Sequence, residues 1–227
     1  MEHFDVEKKC KDSYLRICQQ VNDLAQAAGH TVNLLAVSKR QPVEKIRWLW
    51  DCGQRRFGEN YVQEALAKQE QLAGLSIEWH LIGHLQSNKA KIAHKYFHLI
   101  ESVDSLSLAQ KISHLNEASG GRQKVLLEVN LAEESSKTGL SVADLERDWE
   151  ALVALSGLQI EGLMSLPPLG EKPEESRPYF RKLRTLAENL RCTKVLSMGT
   201  SSDFVVAIEE GATEVRIGTL LFGERPQ

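Results

Sequence analysis

Eight short apolar runs alternate with helix-like segments along this chain, and this alternation constrains the fold more than any other feature. Each run has four to eight residues, which is too short for a typical helix and typical of a buried strand. The runs cover residues 32–39, 56–60, 77–83, 97–103, 124–130, 159–164, 194–197 and 214–217. Strands that alternate with helices predict a parallel sheet whose crossover connections are helical.

Eight such units in 227 residues predict an α/β fold, a (β/α)8 TIM-type barrel. We expect one domain, residues 1–227, with an extra N-terminal helix within residues 1–30 that Gly29 ends. The competing fold is a doubly wound open sheet. The even strand count and the lack of a glycine-rich dinucleotide loop after the first run favour the barrel. The other helices are expected between Pro42 and Gly53, around residues 204–210, and over residues 61–72, 87–94, 105–118, 142–155 and 179–191.

Composition argues against several classes of protein. The formal net charge of −3 gives no broad attraction to nucleic acid or to a membrane surface. No apolar run approaches the ~18 residues of a membrane span, and residues 1–11 lack the apolar core of a signal peptide. The four cysteines form no CxxC pair, so we expect reduced thiols and a cytoplasmic location. We expect a monomer.

Lys39 ends the first apolar run, and this position suggests chemistry. A lysine stem can lie along apolar surface, but its ammonium group resists burial. The lysine therefore belongs at the carboxyl end of the strand, which is the end where barrels carry their active sites. We predict that Lys39 is an amine that condenses with an aldehyde.

Two loops near the C-terminus suit an anion such as phosphate. Residues 197–203 place small hydroxyl side chains before a helix, and Gly218-Thr219 follow the last strand. Arg216 lies two residues before Gly218, and side-chain alternation could point it into the barrel mouth. Simple helix capping explains the first loop at least equally well, and a strand arginine could instead pair with a carboxylate. The two loops together with Lys39 are more specific than any one of them.

Eight stretches carry a resemblance to a known family. They are LAVSK (35–39), FGENYVQE (57–64), WHLIG (79–83), LQSNK (85–89), SKTG (136–139), GLM (162–164), LSMG (196–199) and VRIGT (215–219). In this order they resemble the motifs of the pyridoxal-phosphate homeostasis protein family, which is related to the barrel domain of bacterial alanine racemases. The resemblance covers most of the chain, from the first strand to Gly223.

The resemblance implies a cofactor and the residues that bind it. Lys39 would form the internal aldimine, a Schiff base, with pyridoxal 5′-phosphate. Arg216 falls where the related racemase domain places an arginine against the pyridine nitrogen, and Asn60 falls near the cofactor ring. The phosphate-binding positions fall on Ser201, Gly218 and Thr219.

One residue departs from the family pattern. The family usually has methionine directly after the position of Gly199, and this chain has Thr200. The site partly uses backbone groups there, so we expect phosphate binding to survive.

The resemblance also implies a function without catalysis. Strand counting uses the chain through Gly223, and this leaves no residues for the second, β-rich domain of alanine racemases. A racemase needs acid and base groups on both faces of the substrate carbon. We therefore expect a carrier or regulator of pyridoxal-phosphate supply with little or no turnover and no catalytic residues. Its potential partners are pyridoxal-phosphate-dependent apoenzymes.

Two alternatives remain open. One is a pyridoxal-phosphate-dependent amino-acid racemase-type enzyme. The other is a cofactor-free lyase that forms a Schiff base with a sugar phosphate.

No metal site is predicted. The pairs His80/His84 and His94/His98 are spaced by four residues, but neither lies in an HExxH frame, and both pairs straddle predicted breaks. Residues 136–139 resemble a P-loop but lack its glycine spacing. The proline-rich segment 167–178 is expected to be a long exposed loop.

Overall fold

Eight parallel strands close into a barrel in sequence order. The structure, a computed structural model, describes residues 2–117, 120–132, 138–168 and 170–223. The strands are β1 (Asn33–Val37), β2 (Arg56–Glu59), β3 (Glu78–Leu81), β4 (Leu99–Val103), β5 (Gln123–Glu128), β6 (Leu158–Met164), β7 (Val195–Ser197) and β8 (Glu214–Ile217). β1 pairs with both β2 and β8, which closes the sheet and removes its edges.

Helices connect and cover the strands. They are α1 (Glu2–Ala28), α2 (Val43–Asp51), α3 (Val62–Gln71), α4 (Ala90–Tyr96), α5 (Leu106–Glu117), α6 (Val142–Val153), α7 (Arg177–Asn189), α8 (Phe204–Glu209) and α9 (Thr219–Phe222). The predicted single-domain TIM-type barrel is confirmed. None of the helices in the described ranges is long and apolar enough to cross a bilayer.

The N-terminal helix packs where the barrel closes. In α1 the buried side chains Tyr14, Ile17, Val21 and Ala25 recur every three or four residues, which is the spacing of one helix face. This face joins the main hydrophobic cluster, and α1 contacts α2, α8 and α9. The helix therefore supports α9, whose first turn borders the candidate site described below.

Several element boundaries differ from the sequence-based expectations. Segment 167–178 is not a loop throughout, because Pro173–Ser176 form a 3-10 turn and α7 already begins at Arg177. Pro178 fits there because the first turn of a helix needs no N–H donor. The predicted helix 87–94 is a 3-10 turn followed by α4. The short helix α9 was not predicted, and the ends of the predicted helix 105–118 and of motif 136–139 lie partly outside the described residues.

Candidate functional site

A single cavity at the carboxyl end of the barrel brings together all six predicted site residues. Its volume is about 360 Å³, within the range of small-molecule sites. The six residues are Lys39, Asn60, Ser201, Arg216, Gly218 and Thr219. Their roles toward a cofactor stay predictions, whereas their convergence is a property of the fold.

Lys39 lies in a tight turn, two residues beyond the end of β1. The turn is held by the backbone, since Ser38 N donates to Gly58 O at 3.0 Å and Gln41 N donates to Ser38 O at 3.0 Å. Arg40 has φ +58°, a left-handed conformation that is uncommon for a residue with a side chain. The lysine side chain is half-buried and faces the cavity.

A buried ion cluster holds the residues on both sides of Lys39. Lys68 Nζ, from α3, donates to Ser38 O at 2.6 Å and to Glu59 Oε1 at 2.7 Å. The same amine donates to Glu64 Oε1 at 2.7 Å, and this oxygen also accepts the backbone N–H of Arg40. The side chains of Lys68 and Glu59 are 7% and 0% exposed. The backbone before and after Lys39 is therefore fixed by groups that sequence analysis did not assign to the site.

Burial sets the ionisation of this cluster. It raises the pKa of Glu59, and the nearby Lys68 ammonium and the Ser38 hydroxyl only partly offset the effect. Glu59 Oε2 is buried without a hydrogen-bond partner among the described residues. The cluster is therefore held together by its cation, and Lys68 is the residue on which the Glu59 carboxylate depends.

The end of the cavity predicted to bind phosphate is built from two turns that touch. Ser201 Oγ accepts a hydrogen bond from Gly218 N at 3.3 Å. A Cβ at Gly218 would lie 3.2 Å from Val37 O, so glycine allows β1 and the turn after β8 to approach closely. Small polar groups and the first N–H groups of α9 therefore meet beside the Lys39 turn.

The departure at Thr200 is accommodated by local hydrogen bonds. Thr200 N and Thr200 Oγ1 both donate to Asp203 Oδ1, at 2.7 and 3.0 Å. The other carboxylate oxygen of Asp203 accepts Ser176 Oγ at 2.7 Å. Asp203 thus closes the turn and ties it to the 3-10 segment before α7, and Thr200 takes part where the family usually has methionine.

Arg216 points into the barrel, as predicted, and is held by two oxygens. One terminal nitrogen donates to Ser197 Oγ at 2.6 Å and the other donates to Ser165 O at 2.7 Å. Only 4% of the residue is exposed. Burial lowers the pKa of the guanidinium, and the carboxylates of Glu101 and Glu214 counteract this shift. An arginine nevertheless stays charged, so a fixed positive charge lies at the floor of the cavity.

The side chain of Asn60 shows whether a polar ligand fits the cavity. Its Oδ1 atom is buried and has no hydrogen-bond partner among the described residues. Its backbone is placed by Gly83, where a Cβ would lie only 2.3 Å from Asn60 O. An unsatisfied buried acceptor is costly, and a ligand with a donor would satisfy it. With the anion-suited turns and Lys39, the residues fit a small aldehyde that carries a phosphate.

The titratable groups of the cavity are few. Of the described residues that line it, only Lys39 and Arg216 carry side chains that ionise. Neither a carboxylate nor a histidine, cysteine or tyrosine is among these lining residues. The lining therefore supplies an amine that can react with an aldehyde and donors that can bind an anion. It offers few groups for proton transfer on a second face of a substrate.

Some lining residues were not found from the sequence. Gln41 and Ile82 are examples, because neither belongs to a polar motif that would have singled it out. Leu166, Thr200 and Ser202 line both this cavity and a neighbouring one of about 510 Å³ under segment 167–178. The proline-rich segment thus borders the site, a relationship that its composition alone did not reveal.

The chain is similar to proteins of one family over nearly its whole length. The family model described as "Alanine racemase, N-terminal domain" matches residues 15–226. A pyridoxal phosphate homeostasis protein of Aquifex aeolicus is 45% identical over 218 residues, which cover 92% of this chain and 96% of the relative.

Solved structures agree with this likeness. PipY of Synechococcus elongatus, with PLP bound, superposes with a TM-score of 0.85 at 40% identity, covering 94% of this chain and 100% of PipY. An alanine racemase of Clostridium difficile gives a TM-score of 0.73 at 15% identity, covering 95% of this chain and 60% of the racemase. This last similarity shows a shared fold alone.

Proposed function

Because the chain belongs to the family of pyridoxal phosphate homeostasis proteins, within the alanine racemase N-terminal domain family, we propose that it binds pyridoxal 5′-phosphate and regulates the supply of this cofactor. The observation that carries the proposal is the single cavity in which Lys39 faces the two anion-suited turns. The whole chain, residues 1–227 including the helix within residues 1–30, would act as one cofactor-binding domain.

Lys39 holds the cofactor covalently, as a Schiff base with its aldehyde carbon. The neutral amine is the nucleophile in this addition, and water is the leaving group. Lys39 is half-buried and lines the same cavity as Arg216, so its side chain opens onto the space proposed for the cofactor.

The phosphate is bound by Ser201, Gly218 and Thr219. The hydroxyl of Ser201 and the backbone N–H groups where α9 begins provide donors without placing a carboxylate beside the anion. Arg216 faces the ring nitrogen, and Asn60 accepts a hydrogen bond near the ring. Pyridoxal phosphate supplies an electrophilic aldehyde and a ring that withdraws electrons when its nitrogen is protonated. The positive charge of Arg216 disfavours that protonation.

Little or no turnover is expected from this site. Racemisation needs an acid and a base on opposite faces of the substrate carbon. Of the described lining residues, only Lys39 could serve as such a group, because Arg216 keeps its proton. A racemase-type enzyme is the second candidate, which the fold likeness to alanine racemases keeps open.

The role that follows is that of a cytoplasmic carrier. Bound cofactor would pass to pyridoxal-phosphate-dependent apoenzymes, with the protein acting as a monomer and without nucleic acid or membrane partners. The four cysteines are unpaired thiols, which is the state expected in a reducing compartment.

Absorption spectroscopy with borohydride reduction tests the covalent bond. We expect a yellow protein with an absorption band at about 420 nm, which is typical of such Schiff bases. After reduction, peptide mapping should find the adduct on Lys39, and Lys39→Ala should lose it. Lys172→Ala is the matched control, because Lys172 lines only the neighbouring cavity. An adduct found solely on another lysine would contradict the assignment.

Deuterium exchange separates the carrier from the enzyme. The loaded protein is incubated with single amino acids in deuterated water, and deuterium at the α-carbon and stereochemical loss are measured. A carrier leaves both unchanged over many hours, whereas rapid exchange would favour the racemase. The cofactor-free lyase would be colourless, and adding pyridoxal phosphate would not change its spectrum.

A further inference from the structure

Three buried side chains meet at the opposite end of the barrel from the proposed cofactor site. They are His80 on β3, Glu101 on β4 and Glu214 on β8, and one potential ligand atom from each lies within 4.8 Å of the others. His80 Nδ1 lies 2.7 Å from Glu101 Oε1 and 3.9 Å from Glu214 Oε2. One ring nitrogen is thus flanked by two carboxylates, an arrangement compatible with a metal ion held by three protein ligands.

Glu214 is the member of this cluster with unsatisfied bonding capacity. Only 3% of the residue is exposed, and its Oε1 atom has no hydrogen-bond partner among the described residues. The 3.9 Å separation from His80 is too long for a hydrogen bond. A buried carboxylate oxygen without a donor is costly, so this atom calls for a proton or a cation.

Glu101 does not share this deficit, because each of its two oxygens has a hydrogen-bond partner. Ser197 Oγ donates to Glu101 Oε2 at 2.6 Å, and Arg216 donates to the same Ser197 oxygen. The other oxygen of Glu101 pairs with His80. Burial opposes ionisation of Glu101, but the hydrogen bond and charge of His80, the charge of Arg216 and the Ser197 hydroxyl together outweigh it and lower the pKa. The uncompensated charge of the cluster therefore belongs to Glu214.

Protons occupy this cluster when no cation does. Burial and the neighbouring Glu101 raise the pKa of Glu214 to about 8. Burial lowers the pKa of His80, but Glu214 and Glu101 outweigh it, so the pKa of the imidazole is raised overall. Both shifts favour the protonated forms, and a metal ion would have to displace these protons.

An opening to solvent exists on this side. His80 and Glu214 line a cavity of about 620 Å³ at the end of the barrel where the strands begin. First residues of strands form its rim, among them Asn33, Arg56 and Glu78. An ion could reach the three ligands by this route, and water from the cavity could complete its coordination.

We propose that His80, Glu101 and Glu214 form a binding site for a divalent first-row transition metal ion, of the Mn²⁺ or Zn²⁺ kind, at the amino-terminal end of the barrel. One imidazole nitrogen with two carboxylate oxygens suits these ions, whereas Mg²⁺ prefers an all-oxygen shell. The site shares no lining residue with the Lys39 cavity, and the two are linked only indirectly, because Arg216 of that cavity donates to the Ser197 hydroxyl that bonds Glu101.

Binding exchanges protons for the metal ion, because an imidazole nitrogen and a carboxylate coordinate a metal in their deprotonated forms. Arg56 and Arg216 face the cluster and repel cations, and the two carboxylates offset that repulsion. Affinity should therefore rise with pH, and binding should release protons.

Titration of the intact protein with Mn²⁺ tests the site, and electron paramagnetic resonance detects the bound ion. Mn²⁺ is the better probe because thiols, which bind Zn²⁺ well, attract it weakly. We expect one bound ion whose spectrum carries hyperfine coupling from a single ¹⁴N of an imidazole. Measuring the binding heat in two buffers of different ionisation enthalpy should reveal proton release.

Glu214→Gln keeps the shape of the side chain and should weaken Mn²⁺ binding by more than about tenfold. Glu161→Gln is the control, because Glu161 lines the same cavity and pairs with Lys194 rather than with a member of the cluster. Binding that Glu214→Gln leaves unchanged, a spectrum without nitrogen coupling, or no binding at millimolar Mn²⁺ would each overturn the proposal. If the protein proved not to bind pyridoxal phosphate, the metal-site proposal would still stand or fall by these measurements alone.

Discussion

Lys68 Nζ donates a hydrogen bond of 2.6 Å to the carbonyl oxygen of Ser38, the residue directly before Lys39. The two residues come from α3 and from the turn after β1, 30 positions apart in the sequence. A buried amine on one helix thus fixes the backbone that presents the proposed covalent residue. This relationship makes the positioning of Lys39 dependent on side chains that never face the cavity.

Lys68→Met should destabilise the fold. It leaves the Glu59 carboxylate, which is fully buried, without its cation, and breaking such a pair costs about 3–5 kcal/mol. The free energy of unfolding from urea titration measures this loss. The double variant with Glu59→Gln should recover part of it, because the unpaired charge is gone. An unchanged urea midpoint for Lys68→Met would contradict the role of this pair.

Ser201→Ala should weaken binding of pyridoxal phosphate but not of pyridoxal. The hydroxyl is proposed to contact the phosphate, and a hydrogen bond to a charged group is worth about 1.5–3 kcal/mol, or roughly 10- to 100-fold in affinity. Absorbance titrations with the two aldehydes measure the difference. Ser107→Ala is the comparison, because Ser107 is exposed on α5 and is not among the residues that line the cavity. Equal losses for both aldehydes would place the defect elsewhere.

Arg216→Gln should raise the pKa of the bound cofactor's ring nitrogen, because it removes the nearby positive charge. The measurement is the pH dependence of the ¹⁵N chemical shift in labelled cofactor. Arg216→Lys keeps the charge and should retain most of the wild-type value. It also controls for the cost of leaving Glu101 unbalanced. Identical titrations for wild type and Arg216→Gln would show that Arg216 does not act on the ring.

Stability should fall as pH rises from about 5 to 8 through the protons of Glu214 and His80. The pKa of Glu214 is about 8 in the fold and near 4.5 when unfolded, so within this window the folded state holds the extra proton. The raised pKa of His80 acts in the same direction. A shift of one pKa unit corresponds to about 1.4 kcal/mol in the free energy of unfolding. Glu101, whose pKa is lowered, stays ionised throughout.

Glu214→Gln isolates this effect. Its free energy of unfolding, measured by urea titration between pH 5 and pH 8 without added metal, should depend on pH less steeply than that of the wild type. The variant should therefore gain stability relative to the wild type as pH rises. Parallel curves for the two proteins would show that Glu214 does not hold a proton in this range.

Sequence-based prediction was most accurate for elements whose position depends on their own residues. Period, length and turn residues located all eight strands within a few positions, because a strand's own side chains decide which of its faces is buried. Boundaries were less well placed where residues outside the element determine them. The turn of Lys39 is one case, since Ser38 O accepts from Gln41 N and from Lys68 Nζ of α3, and β1 ends at Val37.

The sequence by itself therefore determined the barrel, the lysine after the first strand and the two turns suited to an anion. Only the tertiary structure brought Lys68 under Ser38 and joined Ser197 to Glu101, which are 96 positions apart. The physical reason is that a hydrogen bond between elements distant in the sequence depends on barrel closure and stagger, which no local pattern encodes. Burial, which also follows from closure, then sets the pKa of each of these groups.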